Sequence, residues 1–103
     1  MSYYYNRQGE PIGINELGRL LEDENYKIVD RTDYEGILVS TVWLGVNHNF
    51  RDGPPLIFET MIFCDGIPEL DEWQERYSTE QEALEGHKAA IALVNQVLNS
   101  KKG

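Results

Sequence analysis

Few side chains of this chain carry the chemistry of catalysis or tight binding, and they fall in three places. His48, Arg51 and Asp52 share the short stretch NHNFRDGPP, residues 47–55. A histidine can pass a proton there, an arginine can hold an anion, and an aspartate can orient either. Their spacing matches no catalytic pattern. Asn, Asp, Gly and the pair Pro54-Pro55 equally build a polar turn that enters the next strand extended. His87 is the second place. On a helical wheel it falls inside the stripe of Ala83, Leu84, Ala90, Ile91, Val94 and Leu98, so it is expected to face the core. Gly86 beside it costs about 1 kcal/mol relative to Ala in a helix interior, which makes sense if another group approaches the helix closely. The third is Glu59, a lone carboxylate inside an apolar strand. A buried carboxylate needs a donor, and His87 is the natural one, as a structural pair or as an acid/base pair.

Other chemistries find little support. Two histidines, one cysteine and scattered acids show no CxxC or i,i+4 ligand pair, so no metal is expected. The chain has no GxSxG, P-loop or dinucleotide fingerprint, and no cofactor is expected. Cys64 would be a nucleophile only if His48 or His87 activated it. In its apolar run it reads as a packed side chain.

The chain of 103 residues makes one domain with a modest core. A hydrophobic fraction of 41% is that of a folded protein. Eighteen acids against nine bases give a net charge of −9. Direct nucleic-acid binding is not expected, because the phosphate backbone would be repelled. Such charge suits a basic protein partner. Eight of the acids, with Arg76 the single base, lie between residues 65 and 85. Glu69, Asp71, Glu72 and Glu75 there are read as an acidic interface, or else as a solvated surface. The single cysteine excludes an intrachain disulfide and fits a reducing cytoplasm. The opening lacks a signal-peptide core, and no apolar run reaches the roughly 20 residues of a membrane span.

The elements that must position these residues read as follows. Tyr3, Tyr4 and Tyr5 form a short edge strand, and residues 6–13 a turn. Ile14, Leu17, Leu20 and Leu21 mark a short helix over residues 14–23. Strands follow at 26–33 and 37–46, joined by a turn at Gly36 that needs positive φ. Further strands are expected at 56–64 and 72–77. Ser78 and Thr79 stand three residues before Gln81 and Glu82, the capping-box spacing, and open a helix that runs to about Leu98. The order β-α-β-β-β-β-α makes an α+β fold with a mainly antiparallel sheet of four to five strands. The strands at 37–45 and 56–64 carry apolar residues on both faces. An antiparallel sheet with one wet face alternates instead, so both faces are expected to be covered, the second by another copy in a homodimer.

The runs STVWLGVNHNF, GPPLIFETMIF and RYSTEQEALEGH, with the opening YYYNRQGEPI, resemble a group of short uncharacterised proteins of tailed phages, prophages and bacterial genomes. The resemblance spans roughly residues 3–91. It points to Trp43, Gly45, His48, Pro54, Pro55, Glu59, Thr60, Glu82, Gly86 and His87. The first helix departs from it, with Leu17-Gly18 where a tryptophan is expected. The resemblance implies a phage or prophage accessory protein in the host cytoplasm. By analogy, it would bind a host protein and inhibit or redirect it, as a counter-defence inhibitor does. On that reading the acidic surface and the loop at 47–55 form the interface. An alternative is a sponge for a nucleotide signal, with Trp43, Phe50 and the tyrosine triplet stacking the base and Arg51 holding phosphate. A small hydrolase or transferase using His48 or His87 with Glu59 is the third reading.

Overall fold

A computed structural model describes residues 3–102 and has the α+β architecture expected of the sequence. Helices α1 (Ile14–Leu21) and α2 (Glu24–Lys27) precede strands β1 (Ile28–Tyr34), β2 (Ile37–Trp43), β3 (Phe58–Phe63) and β4 (Gln74–Tyr77), and α3 (Glu80–Lys102) closes the chain. The strands form one antiparallel sheet in the order β1-β2-β3-β4.

Local chemistry accounts for the boundaries. The β1–β2 hairpin turns on Glu35 at φ 51 and Gly36 at φ 81, the two positive values of a tight hairpin turn. At the start of α3 the Thr79 hydroxyl accepts from the Glu82 amide while the Glu82 carboxylate accepts from the Thr79 amide, a reciprocal capping box. Two expectations need correction. Tyr4 and Tyr5 make isolated bridges to Val46 and Pro11 and no regular strand. Asp23 does not end the first helix but caps a further turn, α2, by accepting from the Asn25 and Tyr26 amides.

Helix α3 packs on the sheet face that carries Ile37, Val39, Thr41 and Trp43 from β2 and Phe58, Thr60 and Ile62 from β3, all of them buried. The core beneath it falls into two clusters. One gathers Ile37, Val39, Ile62, Cys64, Leu70, Ala90 and Val94, the other Leu17, Trp43, Ile57, Phe58 and Ala83. Among the described residues no helix lies over β2 and β3 on the opposite face. There Leu38, Val42 and Met61 are half-buried and Phe63 is 49% exposed. Within one chain the expected second cover is therefore missing.

Candidate functional site

The sheet register builds a polar row across the covered face. Asp30 on β1 pairs with Thr41 on β2, Thr41 with Thr60 on β3, and Thr60 with Glu75 on β4. The row lies between the two apolar clusters. His87 descends onto it from α3 and is 1% exposed. Its Nδ1 lies 2.7 Å from Thr41 Oγ1 and its Nε2 2.9 Å from Thr32 Oγ1. Thr41 Oγ1 lies 2.6 Å from Thr60 Oγ1.

Asp30 Oδ2 is 3.7 Å from Nε2 and favours a proton there. In that tautomer Nε2–H donates to Thr32 and Nδ1 accepts from the Thr41 hydroxyl, which accepts from Thr60; in the other tautomer all three bonds reverse. Burial pushes the His87 pKa below its usual value, and the Asp30 charge only partly opposes this. The imidazole is neutral at pH 7 and fully bonded. Tyr77 closes the row. Its Oη is buried without a partner of hydrogen-bonding geometry, although the Thr60 hydroxyl is near enough to oppose the upward shift that burial gives its pKa. The Tyr77 ring lies against Gly86, where a Cβ would overlap the phenol. That is the close approach expected at this glycine.

Glu59 does not meet His87. Successive side chains of a strand point to opposite faces, so Glu59 projects away from Thr60 and from the helix. Its register partner on β4 is Arg76, whose Nε donates to Glu59 Oε2 at 2.9 Å. The weak catalytic candidates His48, His87 and Glu59 thus occupy a loop, the sheet–helix interface and the open face. They form no common site.

The loop at 47–55 is braced by its own asparagines. Asn47 Oδ1 accepts from the Asn49 and Leu56 amides, and Asn49 bonds the Arg51 amide and the Pro54 carbonyl. The peptide bonds before Pro54 and Pro55 are both trans. Phe50 is 89% exposed, Arg51 and Asp52 are exposed, and His48 is half-buried. Trp43 does not belong with them. It is 1% exposed, its Nε1–H donates to the Tyr5 carbonyl, and Tyr26 meets its ring edge-on. It cannot stack a base.

Glu69, Asp71 and Glu72 lie at the other end of the sheet, and Glu75 sits opposite Thr60 in its middle. The loop enters β3 at Phe58, whereas Glu69, Asp71 and Glu72 follow its end at Phe63, and Glu75 stands on the edge strand β4. The two regions read together as one interface are separated by the length of β3. Lys101 on α3 holds Glu69 at 3.0 Å and keeps its pKa low. A shallow depression of about 430 Å³ lies beside the start of α3, lined by Arg7, Gln8, Ser78, Thr79 and Glu80. Its cation is already engaged, since Arg7 Nε donates to Glu80 at 2.7 Å and Nη1 to the Tyr26 carbonyl. Among the described residues no cluster of histidine, cysteine and carboxylates is disposed to hold a metal, and no helix is long and apolar enough to cross a membrane.

Sequence reasoning missed Thr32, Thr41, Arg76 and Tyr77, and named Thr60 only through the resemblance. Thr41 and Thr60 carried a signal, as polar residues on otherwise apolar strand faces. No family model, curated protein or solved structure matches this chain.

Proposed function

We propose that this protein is a non-catalytic binding domain that docks a basic partner protein through its open sheet face. On the resemblance to phage and prophage proteins, the partner is a host factor that the domain inhibits or redirects. The observation that carries the reading is the uncovered face itself. Leu38, Val42 and Met61 form its centre, with Phe63 49% and Ile28 36% exposed. Ser40 and the Glu59–Arg76 ion pair lie among them, so the face is apolar groups set among polar ones, as interaction sites often are. Glu69, Asp71 and Glu72 follow β3 beyond Phe63, with Glu69 held by Lys101 of α3 on the covered side.

Size selects the kind of partner. Strands about 4.8 Å apart, with β3 rising about 3.3 Å per residue, give a face of only about 300 Å². A stable complex needs roughly 800 Å² from each partner. The partner must therefore reach beyond the face, and the chain's net charge of −9 favours a basic surface there. The test is affinity capture from a bacterial lysate with the wild type and with Phe63→Asp. A basic protein retained by the first and lost by the second supports the reading. Equal retention by both counts against it.

A second copy of the chain is the other occupant that this face favours, because apolar residues occupy both sides of β2 and β3. Each copy would bring its charge of −9 to the contact. Sedimentation at two salt concentrations tests it: a dimer that strengthens with salt and vanishes on Phe63→Asp assigns the face to self-association.

A further inference from the structure

The sheet ends on two edges that differ. β4 is four residues long and runs directly into the capped start of α3. β1 is seven residues long, and among the described residues no other backbone segment bonds its outer side. An edge of that length presents unpaired N–H and C=O groups to any second strand. The two-residue turn at Glu35-Gly36 makes Tyr34 and Ile37 a hydrogen-bonded pair. Such pairs alternate along an antiparallel ladder, so Arg31 and Asp33 direct their N–H and C=O groups away from β2. The Arg31 amide shows this sense, since it donates to the Asp30 carboxylate at 2.8 Å.

Charge decides what can pair there. Arg31 and Asp33 are exposed, and among the described residues neither side chain has an ion-pair partner. A second copy related by a two-fold axis must set outward-bonding residues opposite one another. Centring the axis on Arg31 opposes two arginines, and centring it on Asp33 opposes two aspartates. Centring it on Thr32 places each Arg31 opposite the Asp33 of the other copy. The main-chain groups of these residues then bond in both directions, and every charge meets its opposite. We propose that two copies of this chain associate through β1 in that register and join their sheets edge to edge. The pairing covers residues 30–34, because the irregularity between Ile28 and Asp30 ends the regular edge. So short a strand buries far less than the roughly 800 Å² per partner of a stable complex, and the dimer is weak. The Asp30 carboxylate must also yield the Arg31 amide to the carbonyl of the second copy. The open face of each copy stays free, so the dimer does not depend on the docking proposed above.

Sedimentation equilibrium of the full chain at concentrations up to about 1 mM tests the pairing. The wild type should dimerise, and Phe63→Asp should dimerise equally, because the open face takes no part. Arg31→Asp and Asp33→Arg each set like charges against one another across the edge and should weaken association about ten-fold. The double variant Arg31→Asp/Asp33→Arg exchanges the two charges, keeps both pairs in this register only, and should restore it. Hydrogen exchange of the wild type gives a second reading: the Arg31 and Asp33 amides should gain protection as concentration rises, and those of β4 should not. A chain that stays monomeric, with no such gain in protection, overturns the proposal. So does a dimer that the single reversals leave unchanged, that the exchange fails to restore, or that Phe63→Asp abolishes.

Discussion

The phenol ring of Tyr77 occupies the space that a side chain at Gly86 would need. This contact ties the edge strand β4 to the second turn of α3 and explains a glycine that helix propensity alone would reject. In an open helix, replacing glycine by alanine gains about 1 kcal/mol. Here Gly86→Ala is expected to cost roughly 1–3 kcal/mol, because the ring must move within a filled interface. In a Tyr77→Ala background the same change should become stabilising. Urea denaturation of the four proteins of this cycle measures both signs.

His87 should make stability depend on pH. Its folded pKa lies below the ordinary histidine value of about 6.5, so the unfolded chain takes up the proton first as pH falls. The contribution is full above about pH 6.5 and is lost as pH falls toward the lowered folded value. Urea midpoints between pH 7.5 and 5.5 should fall in the wild type and flatten in His87→Gln. A midpoint in the wild type that rises on acidification would mean that Asp30 dominates the ring.

Truncation separates the two histidines. His87→Ala leaves Thr41 and Thr32 without their partner and opens a void, at a cost of about 2–4 kcal/mol. His48→Ala, on a loop braced by Asn47 and Asn49, should stay within about 0.5 kcal/mol. Thermal melts at pH 7.5 suffice.

Glu35 holds a left-handed conformation, φ 51, with no glycine to relieve it. Glu35→Asn matches the residue type that the first position of this turn prefers and should stabilise the domain by up to about 1 kcal/mol. Glu35→Val should do the reverse. Both are read from denaturation midpoints.

Much of this was legible in the sequence. The helical stripe placed His87 under α3, the spacing of Thr79 and Glu82 gave the capping box, and Gly36 gave the hairpin. The errors came where register or parity decides. Glu59 was paired with His87 because both were apolar-run exceptions, yet Glu59 alternates to the other face and meets Arg76, a partner only strand register reveals. Trp43 was offered as a ligand-stacking residue although it shares its face with Ile37, Val39 and Thr41, which is the covered one. The loop at 47–55 and the acids at 69–75 were joined as one surface because both are polar. β3 lies between the loop and Glu69, Asp71 and Glu72 and sets them at opposite ends. The row from Asp30 to Glu75 spans four strands, and no spacing along the chain encodes it.

The open sheet face is where a partner is proposed to bind. The most direct measurement is quantitative affinity capture from a bacterial lysate with three baits: the wild type, Phe63→Asp, and a variant with Glu69, Asp71, Glu72 and Glu75 all changed to lysine. Each variant must first show a wild-type unfolding midpoint to within about 0.5 kcal/mol, as expected of exposed positions. One basic protein should be enriched by the wild type, lost with Phe63→Asp, and held by the lysine variant weakly at low salt. A protein captured equally by all three baits would contradict it.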